Sequence, residues 1–191
     1  LGGFTVVAED DCVLALAGAD LGARVDDEPL APWRSFRLNK GQRLQFSQPL
    51  LGARAYLAAP GGFDAPKVLG SSSTVVREEL GGLDGMGHAL SKGASLSYSG
   101  NSVMLLRELT ADQRPDLKLD TPLDLVLGAQ IGEFSGQSLF DAFNSVWNVD
   151  SRADRMGIRL LGPALQYQGK PMISEGIPLG AVQVPPDGQP I

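Results

Sequence analysis

Short apolar runs alternate with turn residues at roughly ten-residue intervals along this chain, the spacing expected of an all-β protein. The pattern predicts strands over 3–8, 12–17, 34–38, 43–47, 53–59, 95–98, 102–107, 123–127, 157–161 and 181–184. One segment departs from period two. In "GQSLFDAFNSVWNV" (136–149), Leu139, Phe140, Phe143, Val146 and Trp147 recur at helical spacing, which predicts a helix whose apolar stripe packs on the sheet. Ser135 or Ser138 can cap its start. A shorter helical turn is expected at "VVREEL" (75–80), stopped by Gly81 and Gly82.

Two segments share a pattern, "RLNKGQRLQF" (37–46) and "ALSKGASLSY" (89–98). In both, a Lys-Gly pair fits a tight turn with glycine at positive φ. The Leu and aromatic that follow, two apart, then fall on one face of a strand. Two similar hairpins in one β domain account for this without true duplication. The polar stretch "LTADQRPDLKLDTP" (109–122), with its two prolines, reads as a linker between two halves.

Composition narrows the function. With 43% hydrophobic and 20% charged residues, the chain can bury a core. Sixteen Lys and Arg against 22 Asp and Glu give a net charge of -6, and no basic stripe with interleaved aromatics is present, so nucleic acid is not an expected partner. No apolar run approaches the roughly 20 residues of a bilayer span, so no membrane partner is expected either. The lone Cys12 is expected at the start of a buried strand, and its solitude permits a cytoplasmic setting. The single histidine, His88, leaves no His cluster, so no metal site is expected; in its glycine-rich turn it reads as inert. The ends, "LGGFTVVAEDDCVLAL" and "PPDGQPI", make the 191 residues read as an internal fragment.

No Gly-rich nucleotide loop and no Gly-x-Ser-x-Gly elbow occurs; "GKP" (169–171) lacks the spaced glycine and the hydroxyl of a P-loop. Three polar, Gly-rich patches remain. In "PGGFDAPKVLGSSST" (60–74), Gly61 and Gly62 let backbone amides approach a ligand, Asp64 can accept from it, and serines including Ser71 and Ser73 can bind an anion. A β-turn followed by a helix cap explains the same residues. In "DSRADRMGIRLLGP" (150–163), Asp154 and Arg155 can orient a planar carboxylate, carboxamide or urea-like group, or form an ion pair that pins a turn. The third patch, "ISEGIPLGAVQVPPDGQP" (173–190), offers Ser174, Glu175, Gln183, Asp187 and Gln189; Gln183 alternates away from Val182 and Val184, toward a cavity or toward solvent.

"RAYLAAPGGFDAPKVLGSSST", "ADRMGIRLLGP" and "ISEGIPLGAVQVPPDGQPI", in this order and separation, strongly resemble the 5-oxoprolinase C-subunit family, also called allophanate hydrolase subunit 2, KipA-like or biotin-dependent carboxyltransferase family. The resemblance spans nearly the whole chain. It departs at Ala129, where the family usually has Pro, at Ala153, where Ser is common, and at His88, where Arg is common.

The resemblance implies a mainly β fold of two cyclophilin-like β-barrel lobes with a few short helices. The expected organisation is residues 1–109 as part of a first lobe, 110–122 as linker and 123–191 as part of a second. It implies a component of an ATP-dependent 5-oxoprolinase, which opens the lactam of 5-oxoproline to glutamate together with separate A and B subunits, the latter KipI-like. In that reading Asp154 and Arg155 carry the chemistry. Gly61, Gly62, Asp64, Ser71, Ser73, Met156, Ser174, Glu175, Gln183, Asp187 and Gln189 bind substrate. ATP belongs to the complex rather than to this fragment, which alone is expected to be inactive. The alternatives are a biotin-dependent carboxyltransferase acting on urea or a similar small amide, and a non-catalytic KipA-type regulatory binding protein.

Overall fold

The computed structural model describes residues 3–100, 105–118, 122–170 and 176–191. It is mainly β with few short helices, as expected, and divides into two compact units, Leu1–Thr121 and Pro122–Ile191.

Among the described residues the first unit holds seven strands: β1 Thr5–Val7, β2 Cys12–Asp20, β3 Arg24–Val25, β4 Glu28–Pro29, β5 Arg34–Leu38, β6 Arg43–Gln45 and β7 Leu51–Ala58. They pair antiparallel into a four-stranded sheet, β1-β6-β3-β4, and a three-stranded sheet, β5-β2-β7. Strand alternation sorts the side chains. Leu14 and Leu16 of β2, Phe36 and Leu38 of β5, and Leu44 of β6 turn into one core shared by both sheets, while Arg37, Arg43 and Gln45 face water. Leu16, Leu38 and Leu44 are essentially inaccessible, each worth about 2 kcal/mol of burial. Cys12 opens β2 half-buried, and burial pushes its thiol pKa up.

The repeated Lys-Gly motif makes the same turn twice. Gln42 N–H donates to Asn39 O at 3.0 Å, Ala94 N–H donates to Ser91 O at 3.1 Å, and Gly41 and Gly93 carry φ of 87° and 86°. After the first turn, Leu44 and Phe46 are buried side by side. After the second, Leu96 and Tyr98 are half-buried between exposed Ser95, Ser97 and Ser99. The Tyr98 hydroxyl accepts from the Val13 amide at 3.3 Å.

Residues 95–98 therefore alternate like a strand but form no ladder, so that expectation is corrected. Residues 123–127 and 181–184 likewise carry no ladder, and 157–161 shortens to β9, Leu160–Leu161, paired with β8, Asn148–Val149. Of 102–107, residues 102–104 lie outside the described residues, and 105–107 are not strand. Apolar alternation marks a face; it does not supply the neighbouring backbone a strand needs.

The helix of the second unit, α1, runs Gly136–Asn144, shorter than its pattern predicts, and Ser145 leaves helical conformation at ψ 157°. Ser135 is the cap: its hydroxyl accepts the Ser138 amide at 3.1 Å. Phe140, Phe143 and Val146 stay exposed while Leu139 and Trp147 are half-buried, so only part of the expected stripe is packed. The buried residue of α1 is Ser138, whose hydroxyl accepts the Gln166 amide at 2.7 Å. "VVREEL" yields only a 3-10 turn, Val76–Glu78, ended by Glu79 at φ 55°.

Candidate functional site

In the first unit the polar patch begins where β7 ends. Gly62 N–H donates to Ala59 O at 2.9 Å, closing a turn in which Gly61 and Gly62 hold φ of 78° and 88°. Phe63 then packs back on the core and anchors the loop. Residues 61–67 and Ser72 line an open hollow of about 590 Å³. Gly61, Gly62 and Asp64 line the hollow, but the amides of Gly62 and Asp64 are taken up by the carbonyls of Ala59 and Ser97.

Asp64 is held in place. Its amide donates to Ser97 O at 2.7 Å, and its carboxylate accepts from the hydroxyls of Ser97 at 3.2 Å and Ser99 at 3.4 Å. These partners belong to the alternating segment 95–99, whose serine face the sequence pattern left unassigned. Ser71 and Ser73 bind each other instead: the Ser71 hydroxyl accepts the Ser73 amide at 3.1 Å, and Ser71 exchanges backbone hydrogen bonds with Val68. Lys67, which sequence reasoning missed, and Ser72, from the serine run expected to bind an anion, reach the hollow.

Nearby in the chain, His88 Nδ1 meets the Asp84 carboxylate, which lowers the Asp84 pKa. Glu108 accepts from Arg34 at 2.6 Å and Arg114 at 2.7 Å, tying the segment after residue 108 to β5.

In the second unit Asp154 does not pair with Arg155. Its carboxylate accepts the amides of Met156 at 2.7 Å and Gly157 at 3.2 Å, so it shapes the turn by an Asx-type bond. Gly157 sits so close to Ile191 that a Cβ would come within 2.6 Å of its Cγ2, which brings the 154–157 turn to the end of the proline-rich loop. That loop is stitched on by Leu160 N–H to Pro190 O at 2.8 Å, Leu165 N–H to Gly188 O at 2.9 Å, and two bonds between the Gln189 side chain and the backbone of Gly162. Gln183 and Ile191 exchange amide bonds at 2.9 Å. Ser174 and Glu175 lie outside the described residues.

The charges here belong largely to residues the sequence pattern did not single out. Asp150, buried at 6% exposure, accepts from Arg152 Nε at 2.9 Å, and Arg159 donates to Asp187 at 3.0 Å. Arg152 holds the Asp150 carboxyl at a pKa of about 2. The Asp187 pKa is lowered by the Gln189 amide first and by Arg159 after it. The Asp-x-Arg spacing of 150 and 152 was visible, but adjacency drew attention to 154 and 155.

The hollow of the first unit does not suit a triphosphate. The hollow presents one lysine beside a carboxylate, and the amides of Gly62 and Asp64 already serve backbone carbonyls, whereas polyphosphate cradles need converging donors. Among the described residues no cluster of metal-ligating side chains occurs, and no helix is long and apolar enough to cross a membrane.

An antiparallel, mainly β scaffold with two polar loop clusters is the setting in which known relatives take their place. The family model described as carboxyltransferase domain, subdomain A and B, matches residues 1–191, and the chain belongs to that family. Over 198 residues it is 37% identical to the C subunit of 5-oxoprolinase from Escherichia coli (strain K12), a match covering 100% of this chain and 60% of that protein. A urea amidolyase of Lachancea kluyveri is 27% identical over 183 residues, covering 89% of this chain and 10% of that protein. The solved structure of TTHA0988 superposes with a TM-score of 0.74 at 34% identity, covering 99% of this chain and 36% of that one. The resemblance carried by the three motifs is thus borne out. The chain spans 60% of the length of its Escherichia coli relative.

Proposed function

We propose that this chain is part of a 5-oxoprolinase component that opens 5-oxoproline to glutamate at the expense of ATP, together with separate A and B subunits, the latter KipI-like. The observation that carries the reading is the match across the whole chain to a protein named as the C subunit of that enzyme. Lactam opening needs a flat amide gripped by fixed donors and acceptors. Asp64, clamped by two serine hydroxyls, supplies an acceptor of that kind in the first unit. In the second, the turn that Asp154 holds presents Arg155 and Met156 beside the loop bearing Gln183, Asp187 and Gln189. Within the second unit, as a contact of its own, Asp154 serves as a positioning residue and Arg155 as a donor. ATP is assigned to the complex, on the other polypeptides, and the setting to the cytoplasm.

A second reading has its own support in the urea amidolyase match: a carboxyltransferase component that takes carboxylate from biotin carried on another chain to urea. The full-length protein, assembled with its candidate partner polypeptides and given ATP, separates the two. Glutamate formed from 5-oxoproline supports the first reading. Biotin-dependent carboxylation of urea without glutamate formation overturns it.

A further inference from the structure

We infer that Lys67 makes the hollow selective for a small molecule that carries a carboxylate beside an N–H donor, so that an anionic lactam is taken and a neutral amide is not. The inference rests on the 5-oxoprolinase reading and deepens it by assigning a residue to substrate choice.

The hollow, about 590 Å³, is of the size of small-molecule sites and larger than a single five-membered ring requires. Three kinds of surface line it. Phe63, Ala65 and Pro66 give apolar walls, Asp64 gives an acceptor, and Lys67 with Ser72 gives a cation and a hydroxyl.

Opposite charges sharing a hollow usually cancel by pairing; these do not. The Asp64 carboxylate is held by Ser97 and Ser99, one hydroxyl on each oxygen, and each oxygen keeps a lone pair for a further donor. Among the described residues no carboxylate lies within ion-pair distance of the exposed Lys67 ammonium, a state it shares with other surface cations such as Arg37, Arg43 and Lys92; what sets Lys67 apart is its place on the hollow that Asp64 also lines. The hollow thus keeps an acceptor and a positive charge apart, between apolar walls.

A ligand complementary to this arrangement has an N–H for Asp64, an anionic group for Lys67 and methylene groups for the walls. A lactam bearing a carboxylate on the carbon next to its nitrogen meets all three demands. Urea meets only the first, and its binding leaves Lys67 without a counter-charge.

The test is an equilibrium titration of the full-length protein, in its complex, with 5-oxoproline and with 2-pyrrolidinone, the same ring without its carboxylate. Both are followed by the backbone signals of residues 61–67. The expected result is that 5-oxoproline binds about tenfold more tightly, the scale of one charge-assisted hydrogen bond. Lys67→Gln removes that preference, and Lys67→Arg retains most of it. Equal affinity for the two rings, an unchanged preference in Lys67→Gln, or no response of residues 61–67 to either ring overturns the inference. Glutamate formation by the wild-type complex is read alongside: if it persists while the Lys67 variants behave as wild type, the inference alone has failed; if it is absent, the underlying reading has failed too.

Discussion

The guanidinium of Arg159 donates to the carboxylate of Asp187 at 3.0 Å, binding the entry of β9 to the 185–191 loop. Asp187 also caps its own loop, accepting the Gln189 amide at 3.1 Å. An aspartate with both roles is expected to matter more than a surface ion pair, which contributes little by itself. Asp187→Asn keeps an acceptor for Gln189 and loses the charge; Asp187→Ala loses both. Limited proteolysis is expected to cut near residue 187 slowly in the wild type, faster in Asp187→Asn and fastest in Asp187→Ala. Equal rates for all three contradict this role.

The same cluster sets an acid limit. The Asp150 pKa is depressed from 3.8 to about 2 by Arg152, and that of Asp187 is also lowered. Depressed carboxylates stabilise the folded state fully above the unfolded pKa and lose that contribution as pH falls through the folded one. Denaturant midpoints are therefore expected to hold steady above about pH 4 and to drop toward pH 2, by a mechanism that Asp150→Asn removes. That variant should be less stable near neutral pH and show a flatter acid limb. An acid limb of unchanged slope in Asp150→Asn rules the mechanism out.

Two serines organise the second unit. Ser135→Ala removes the α1 cap and should cost about 1 kcal/mol. Ser138→Ala strips a buried hydroxyl that accepts the Gln166 amide and should cost about 1–3 kcal/mol, because the amide is left without its partner. Urea unfolding of single and double variants measures both. The two hydroxyls also lie 2.8 Å apart, so the losses should not add.

Much of the first unit was legible because its strands carry two signals at once. Apolar alternation and flanking turn residues mark β2, β5 and β7; the Lys-Gly repeat makes two like turns but not the two expected hairpins, because β5 and β6 pair into different sheets and residues 95–98 form no ladder. Legibility fell where one signal stood alone. Residues 123–127 are as apolar as a core strand, yet Leu123, Leu125 and Val126 are exposed and unladdered. Helical spacing found α1 and its cap but only part of its packed face, which depends on what the unit can place against it. At the candidate site, local pattern pointed to Gly61, Gly62 and Asp64, which line the hollow. It missed Ser97, Ser99 and Arg159, whose roles depend on residues about 30 positions away in the chain.

Gly18 shows how backbone geometry hides in such a pattern. It lies inside β2 at φ 88°, at the irregularity in the β2–β7 ladder, and a Cβ there would sit 2.5 Å from Arg54 O. Gly18→Ala is expected to destabilise the first unit by about 1–3 kcal/mol. Leu44→Ala, a core truncation, should cost about 2–5 kcal/mol. Thermal unfolding compares them; a Gly18→Ala midpoint equal to wild type removes the claim of strain.

The central claim, that this chain helps to hold the lactam being opened, is tested most directly by the kcat and KM of glutamate formation from 5-oxoproline in the full-length complex carrying Asp64→Asn. The account predicts that kcat/KM falls at least about tenfold while the complex stays assembled. A wild-type kcat/KM in that variant, or glutamate formation that proceeds with this chain left out, contradicts it.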